Sequence, residues 1–439
     1  MRRYFLPFGL AFFSIHSTSI HADSTALPTL NGEVKESLFL TNEAVLESAA
    51  PLNLEDALAL AFKGNSMLSA AENEVQAVDG AVLQAGVLPN PELEALVEDS
   101  RHATQTKTVQ LNQPIELGGK RSARVDAAQR SRDSAAIDLT AKRAEVRADL
   151  ITAFYDVLVA QERMRLAEQS SQLGRRATEA VSKRVTAGQI SPVEETKARV
   201  AEARIRVEAT QAASQLRTAR HALSSLWGNS SPRFERALGQ VEILPPAPNL
   251  SELESLLQDA PAMRKSNVEL QIREALTRLE RARRVPDVTL SLGVKHDEEV
   301  GRNQAVMGVS VPLPLFDRNQ GNLLEAQRRQ DKALDELLVA RVQAKTELLQ
   351  ACERLQSART QALSIVEDVL PGAEQALEAA SRGFEVGKFG FIEVLDAQRT
   401  LFQAKSQYLD VLAEAQRANA DIGRILGVVG AVSDTAGNR

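Results

Sequence analysis

Two carboxylates, Glu393 and Asp396, are the side chains of this chain that stand out as candidates for a functional site. They follow Gly387 and are three residues apart, so in a helix they would share one face. Several such carboxylates around a narrow opening would attract cations and make the opening sensitive to salt and pH. Alternatively, they are solvated carboxylates that interact with the positive end of a helix dipole. From the residues alone, the second interpretation is the commoner one.

Two glycine turns are predicted to join antiparallel helices, one of them directly before this acidic pair. Gly188 and Gly387 would permit tight turns because glycine tolerates positive φ. Apolar residues beside the turns would either contact a partner or pack within the turn itself. The residues assigned to this tip surface are Gly188, Gln189, Ile190, Val193, Gly387, Lys388, Phe389 and Phe391.

No catalytic constellation accompanies these residues. The segment from Gly383 to Phe389 superficially resembles a phosphate-binding loop. Its spacing is one residue short, Phe389 replaces the required Ser or Thr, and no strand precedes it. The chain is therefore predicted not to be an enzyme and to require no cofactor.

Histidines are the remaining candidates for metal binding. Beyond residue 22 the chain has three, His102, His221 and His296. His102 and His296 are expected in corresponding loops between strands, where they would form either a weak metal-attracting mouth or an ordinary solvated loop. No closed set of zinc-type ligands is visible, so no metal site is predicted.

The predicted helices and strands around these residues occur twice in the sequence. Four landmarks recur at offsets of 195 to 199 residues. The matching pairs are 91–93 with 286–288, 109–114 with 307–312, 188–194 with 387–393, and 226–228 with 425–427. A nearly constant offset indicates one structural unit duplicated in tandem.

Each unit is predicted to contain two short strands of about ten residues with one apolar face. The alternating apolar residues are Leu93, Ala95, Val97, Val109, Leu111, Val288, Leu290, Leu292, Val294, Ala305, Met307, Val309 and Val311. This pattern is typical of membrane-barrel strands, although a half-buried hairpin of a soluble protein is the alternative. Four strands cannot close a barrel, which needs about eight. Three copies would supply twelve strands.

Long helices are predicted for most of each unit. Small and apolar residues step by three and four positions over 137–158 and again over 319–385, where Leu334 and Val369 belong to the set. Pro371 should bend the second helix. A helix of about 35 residues should return from each turn, and one short helix should precede each strand pair, near 53–84 and 251–284.

Composition and the N-terminus bound the class of protein. Aromatic residues make up only 4% of the chain, which favours long helices over a compact enzyme core. Residues 1–22 have the charged, apolar and small-residue regions of a secretory signal. No later apolar run is long enough for a transmembrane helix. The net charge of −6 offers no basic patch for nucleic acid.

The predicted fold class is mainly α with a small β part, built from long antiparallel helical hairpins and four strands per chain. The chain is divided into a signal peptide (1–22), an N-terminal periplasmic segment (23–52), a first structural repeat (53–243), a proline-rich linker (244–249), a second structural repeat (250–428) and a flexible tail (429–439).

Three segments carry a family resemblance that covers nearly the whole mature chain. They are FEVGKFGFIEVLDAQ at 384–398, QPIELGGKR at 113–121 and VPLPLFDRN at 311–319. With them the chain resembles the TolC-type outer-membrane factors of tripartite efflux pumps. The second and third segments are similar to the branch that serves cobalt–zinc–cadmium and cobalt–nickel resistance. Unlike many relatives, the chain lacks a lipid-anchor cysteine after its signal.

The resemblance implies a homotrimer in the outer membrane whose twelve-stranded β-barrel continues as an α-helical barrel through the periplasm. It implies docking of a periplasmic adaptor at the helix tips and an inner-membrane RND-type pump as the energy source. It also implies that Glu393 and Asp396 ring the periplasmic aperture as a gate. The first-repeat equivalents, Glu194 and Glu195, match that pair only incompletely in register.

The function expected from the resemblance is an exit duct for divalent cations such as cobalt, zinc, cadmium or nickel. The nearest alternative is the same duct serving drugs, other organic compounds or type I protein secretion. An alternative of another class is a periplasmic coiled-coil adaptor or scaffold without a pore, which the helices alone would permit.

Overall fold

The computed structural model describes residues 46–99 and 101–429 of the 439-residue chain. The predicted signal peptide lies outside the described residues. So do residues 23–45 of the predicted N-terminal segment and residues 430–439 of the predicted tail.

The order of elements in the described residues repeats. The first series is α1 (Leu54–Gly64), α2 (Ser66–Gly86), β1 (Glu92–Glu98), β2 (Thr106–Ile115), α3 (Lys120–Thr186) and α4 (Pro192–Ser225). The second series is α5 (Leu250–Leu256), α6 (Pro261–Ala282), β3 (Val288–Asp297), β4 (Arg302–Ser310), α7 (Gln320–Ser364), α8 (Leu370–Glu385) and α9 (Phe391–Leu426). With 67 residues, α3 is about 100 Å long.

The prediction of a single short helix before each strand pair is wrong. Two helices precede each pair, α1 and α2 before β1, and α5 and α6 before β3. Asn65 separates α1 from α2: its Oδ1 accepts hydrogen bonds from the N–H groups of Met67 and Leu68 at 2.9 and 3.2 Å. The extended backbone of this N-cap residue ends the preceding helix. Pro261, at the start of α6, similarly begins a new helix after a short 3₁₀ turn at Leu257–Asp259.

The irregularity expected at Pro371 lies one turn earlier. Ile365–Val369 form a π-helix between α7 and α8, and Pro371 lies in the first turn of α8. In a regular α-helix the proline ring would clash with the carbonyl of Glu367, four residues before it. The wider π turn accommodates the ring at this point.

Two members of the predicted helix seam are exposed in the single chain. Leu334 and Val369 face away from the covered side, whereas Ala333 is buried. Residues one position apart on a helix point about 100° apart, so burial of Ala333 places Leu334 off the seam. Val369 lies in the π-helix, whose wider turn rotates the residues out of the earlier register.

The sheet is antiparallel and has the order β1-β2-β3-β4, so it joins the two repeats through β2 and β3. Its register aligns Leu93, Leu111, Leu292 and Met307 in one row across all four strands. The predicted apolar face is therefore continuous and, within this chain, exposed. β1 has seven residues rather than about ten.

The opposite face of the sheet is polar and is held by side-chain hydrogen bonds. The Glu94 carboxylate accepts hydrogen bonds from Gln110 and Asn112 at 2.7 and 2.9 Å, and Ser291 contacts Asn112 at 2.6 Å. The sheet thus separates an apolar side from a hydrogen-bonded polar side.

The main core lies where α1, α3, α7 and α9 meet. Phe154, Trp227, Leu348 and Leu412 are among its fully buried side chains. The first described residues are held there by buried Glu47, which accepts hydrogen bonds from the Trp227 indole at 2.8 Å, the Asn229 amide at 2.7 Å and the Arg233 N–H at 2.6 Å. Within residues 46–99 and 101–429, no helix combines the length and apolar character needed to cross a membrane.

Candidate functional site

The two helix tips have the same backbone turn. Gly188 and Gly387 adopt left-handed conformations with φ of 71° and 75°. In each turn, the following N–H donates to a carbonyl five residues back: Gln189 to Arg184 at 2.9 Å and Lys388 to Gly383 at 2.8 Å. These bonds satisfy the last helical carbonyls and reverse the chain. We call the turn after α3 the first tip and the turn after α8 the second tip.

A small apolar core joins the two tips. Val181 and Ala198 from the first repeat and Phe391 from the second are buried together, with Ile190 and Phe384 packed against them. Phe391 is only 3% exposed, so of the two alternatives for this residue the structure favours packing within the tip. The ring turns inward because it starts α9 on the side that faces the first repeat. Ile190 is likewise half-buried in the tip.

The other predicted tip residues remain accessible. Val193 and Phe389 are exposed, as are Gly188, Gln189, Gly387 and Lys388. The ring of Phe389 lies directly on Gly383, where an added Cβ would overlap it. The second tip therefore depends on Gly383 for space as well as on Gly387 for its left-handed turn.

The two carboxylates that follow the second tip, Glu393 and Asp396, form no ion pair with any described residue. Glu393 and Asp396 are exposed in the first turns of α9, and neither has a cationic group within 4.0 Å among the described residues. The Glu393 carboxylate lies over Gly390, where an added Cβ would be 2.8 Å from Oε2. Asp396 lines a groove between α4 and α9 that also contains Val200, Leu395 and Phe402.

The corresponding carboxylates of the first tip are paired. Glu194 Oε1 lies 3.0 Å from Lys197 Nζ. Glu195 accepts hydrogen bonds from the Arg199 guanidinium at 2.6 Å and the Ser182 hydroxyl at 3.1 Å. Hydrogen bonding by Arg199, and then by Ser182, holds the pKa of the Glu195 carboxyl below its usual value.

One contributor to the tips, Arg184, was missed by the sequence predictions. Its Nη2 donates to the Phe384 carbonyl oxygen at 2.9 Å, and its guanidinium carbon lies 4.3 Å from the centre of the Phe384 ring. This contact ties the first tip to the second across 200 residues of sequence. A signal was available, because the repeat counterpart of Arg184 is Gly383 and the two differ in both charge and size.

The histidines are not arranged as a metal site. His102 lies in the loop between β1 and β2, but His296 lies within β3, so its prediction as a loop residue is wrong. The strand extends to Asp297 because His296 pairs with Asn303, whose side-chain oxygen is 2.7 Å from His296 Nδ1. In the part of the chain that the structure describes, no three His, Cys, Asp or Glu side chains are grouped to hold a metal ion.

A family model described as "Outer membrane efflux protein" matches residues 57–229 and 253–428. The chain belongs to this family. Its members are transport ducts of the outer membrane, which confirms the predicted location and the prediction that the protein is not an enzyme. The matched residues include both tips and all four strands.

Among curated relatives, the chain is 48% identical over 427 residues to the cobalt-zinc-cadmium resistance protein CzcC of Cupriavidus metallidurans, a match that covers 97% of this chain and 100% of the relative. It is 28% identical to the nickel and cobalt resistance protein CnrC of the same organism, covering 67% and 70% of the two chains. The predicted resemblance to the metal-resistance branch is thereby confirmed.

The fold matches a solved outer-membrane channel. The open-state structure of the Neisseria gonorrhoeae MtrE channel superposes with a TM-score of 0.73 at 20% identity, covering 86% of this chain and 89% of that channel. At this identity the comparison establishes the shared fold, a bundle of long helices with a small antiparallel sheet. The predicted fold class is confirmed.

Proposed function

We propose that this protein is the outer-membrane exit duct of a heavy-metal efflux system and that its cargo is a divalent cation such as cobalt, zinc, cadmium or nickel. The observation that carries the proposal is the 48% identity, along the whole length of the relative, to a protein named for cobalt, zinc and cadmium resistance. The unpaired carboxylates of the second tip fit a cationic cargo.

The duct is a homotrimer in this proposal. Three four-stranded sheets form a twelve-stranded barrel, with the exposed apolar face toward lipid and the polar face toward the lumen. The long helices extend into the periplasm as an α-helical barrel. A 67-residue helix such as α3 has the length needed to project far from the membrane surface.

The helix tips are the docking surface for a periplasmic adaptor, which connects the duct to an inner-membrane RND-type pump. The exposed tip residues Gln189, Val193, Lys388 and Phe389 supply the contacts, while Gly188 and Gly387 shape the turns. Ile190 and Phe391 act from inside, as the apolar core that holds the two tips together.

Glu393 and Asp396 form the gate of the duct. In a trimer they place six carboxylates around the aperture, and neither residue forms an ion pair with a described residue of its own chain. Transport is passive: adaptor docking separates the tips, and the cation leaves through the tunnel. The pump supplies the energy.

Deletion of the gene tests the cargo. We expect increased sensitivity to cobalt, zinc or cadmium salts, restored by the wild-type chain, and unchanged sensitivity to dyes and detergents. Sensitivity to organic compounds alone would instead support the alternative duct. A protein that fractionates with soluble material would support the scaffold.

Planar-bilayer conductance tests the gate. The Glu393→Ala/Asp396→Ala variant should lose cation selectivity or conduct more. Glu194→Ala/Glu195→Ala is the matched control, because it removes two carboxylates that are already paired. An equal effect of both variants would assign the selectivity to general tip charge rather than to these two residues.

A further inference from the structure

The sheet of this chain lacks the aromatic residues that usually border a membrane barrel. Such barrels carry girdles of aromatic rings at both lipid interfaces. The strands and their connections, residues 87–119 and 285–319, contain a single Phe, Tyr or Trp, which is Phe316. Other side chains therefore have to hold the sheet at the level of the lipid headgroups.

Four helix ends meet at one end of the sheet. Arg121 Nε, at the start of α3, donates to the Gly86 carbonyl oxygen at the end of α2 at 2.7 Å. Asn319, just before α7, donates to the Glu280 carbonyl oxygen near the end of α6 at 2.8 Å. The helices α3 and α6 also pack against each other. We call this region the helix end of the sheet, and it consists of residues 83–92, 116–124, 278–287 and 316–319.

The helix end of the sheet is basic, whereas the opposite end is acidic. The four segments of the helix end contain eight Lys and Arg residues and five Asp and Glu residues. At the opposite end, the turns 98–105 and 297–302 contain two Arg residues and five Asp and Glu residues. The sheet therefore carries excess positive charge where it joins the helices and excess negative charge at its turns.

Half of the cations at the helix end are neutralised within the chain. Those that form ion pairs with carboxylates of the described residues are Lys120, Arg124, Arg278 and Arg283. The other four are exposed and form no ion pair with any described residue. They are Arg121, Arg281, Arg284 and Arg318. A guanidinium without a carboxylate partner is available to an anion outside the chain.

The exposed apolar face of the sheet continues as far as these four arginines. Beyond the end of β4, Val311, Leu313 and Leu315 keep the two-residue spacing of that face, and all three are exposed. Phe316 follows and is 92% exposed, two residues before Arg318. An apolar surface that ends in a band of cations matches the boundary between the acyl chains and the phosphates of a lipid leaflet.

We propose that the helix end of the sheet binds anionic phospholipids. Leu315 and Phe316 enter the acyl layer, and four guanidinium groups bind the lipid phosphates, which suit their planar donor geometry. The phosphate ligands are Arg121, Arg281, Arg284 and Arg318. This inference rests on the proposed duct, whose apolar sheet face points toward lipid, and it names the side chains that fix the depth of the duct in the membrane.

A lipid fits this surface better than a free anion does. Inorganic phosphate would gain nothing from the exposed apolar side chains beside the arginines, whereas a lipid uses both parts of the surface. The excess of positive charge favours an anionic headgroup over a zwitterionic one, since cations near a membrane surface are attracted by its negative potential.

Lipid titration tests the arginines in the full-length protein, purified in detergent and stripped of lipid. Native mass spectrometry compares phosphatidylglycerol with phosphatidylcholine of the same acyl chains, and the wild type should bind phosphatidylglycerol more tightly. Arg281→Gln/Arg284→Gln should weaken that binding roughly 10- to 30-fold, because each cation near an anionic lipid surface contributes about a factor of five. Its binding of phosphatidylcholine should not change.

The matched control is Arg278→Gln/Arg283→Gln, which removes the same number of charges from α6 but takes cations that are already paired. It should bind phosphatidylglycerol nearly as the wild type does. An equal loss in both variants, or equal binding of the two lipids by the wild type, would overturn the lipid site and leave a conducting duct standing. Competition by inorganic phosphate at the lipid concentration would also overturn it, because the arginines would then bind free anions. A wild type that fails to insert into bilayers would overturn the duct itself.

Quenching by brominated acyl chains tests the apolar part of the site. In vesicles of brominated phosphatidylglycerol, Phe316→Trp should lose fluorescence relative to vesicles of the unbrominated lipid. The wild type, whose only tryptophan is the buried Trp227, should not. Val386→Trp, at an exposed position of the second tip, is the control for a tryptophan far from the sheet. Unquenched Phe316→Trp in a protein that conducts would place this residue away from lipid and overturn the proposed anchoring.

Discussion

The two tips share one backbone turn but differ in how their charges are arranged. In the first tip, Glu194 and Glu195 are paired with Lys197 and Arg199 of the same helix. In the second tip, the carboxylates at the start of α9 have no such partners among the described residues. A duplicated turn has therefore kept its glycine geometry while its electrostatics diverged.

The two tips also contribute different side chains to the contact between them. The first tip supplies Arg184, which reaches the Phe384 carbonyl, whereas the second tip supplies the aromatic rings of Phe384 and Phe391. The cation of this contact, Arg184, therefore belongs to the first tip, and the ring beneath it, Phe384, belongs to the second. The first tip thus combines paired carboxylates with the cation of this contact, whereas the second combines carboxylates that have no ion-pair partner among the described residues with the aromatic rings.

The largest expected effect is that of Phe391→Ala, which breaks the apolar contact between the tips. Truncation of a buried Phe costs about 3–5 kcal/mol. Phe391 is 3% exposed, and it packs with Val181 and Ala198 of the first repeat. Hydrogen exchange of the first turns of α9 should accelerate strongly. Phe389→Ala is the control, because that ring is 48% exposed. Equal acceleration by both variants would contradict the inward role of Phe391.

A smaller effect is expected for Arg184→Ala, which removes the polar tie between the tips. A hydrogen bond from a charged donor contributes about 1.5–3 kcal/mol, and this donor is partly buried. Exchange at residues 384–390 should become roughly 10- to 100-fold faster. Arg184→Lys keeps the charge but not the guanidinium plane over the ring, so its exchange rate should be intermediate. Unchanged exchange in Arg184→Ala would show that the tie is not stabilising.

Removal of the neutralising cations should make the first tip resemble the second. Lys197→Gln/Arg199→Gln frees Glu194 and Glu195, and the cation selectivity of the duct should increase in reversal-potential measurements. Stability should change little, because these are surface ion pairs. Arg329→Gln/Lys332→Gln is the control, since it also removes two cations, both paired on α7. Equal gains in both variants would indicate that net charge alone sets selectivity.

The duplicated pattern was sufficient to predict the strands, the long helices and both turns, since periodicity reports directly which face of an element is apolar. It did not predict the burial of Phe391. An apolar residue beside a turn either faces a partner or faces inward, and the direction depends on how the two repeats pack. Asn65 shows the same limitation, because asparagine is accepted within a helix but also caps a new one.

The sequence was enough to predict which residues belong to the candidate site, but not which side chains surround them. Glu393 and Asp396 stand out through their spacing, but their lack of partners depends on the side chains of neighbouring helices. His296 was misplaced because a strand end is set by its pairing with β4 rather than by local sequence. Arg184 acts across 200 residues, a distance over which a single sequence carries no contact signal except through comparison of the two repeats.

The smallest expected effect concerns the pH dependence of the first tip. Hydrogen bonds from Arg199 and Ser182 lower the pKa of Glu195 in the folded tip relative to the unfolded chain. A group of this kind contributes stability above its unfolded pKa, and the contribution is lost as the pH falls through the folded pKa. The difference in thermal stability between wild type and Glu195→Gln should therefore be present at neutral pH and vanish in acid. Glu393→Gln, which removes a carboxylate without an ion-pair partner, controls for the loss of negative charge. A difference for Glu195→Gln that persisted or grew on acidification would mean that the Arg199 pair does not stabilise the first tip. The difference in ion pairing between the two tips would then affect which ions each tip attracts and not the stability of the fold.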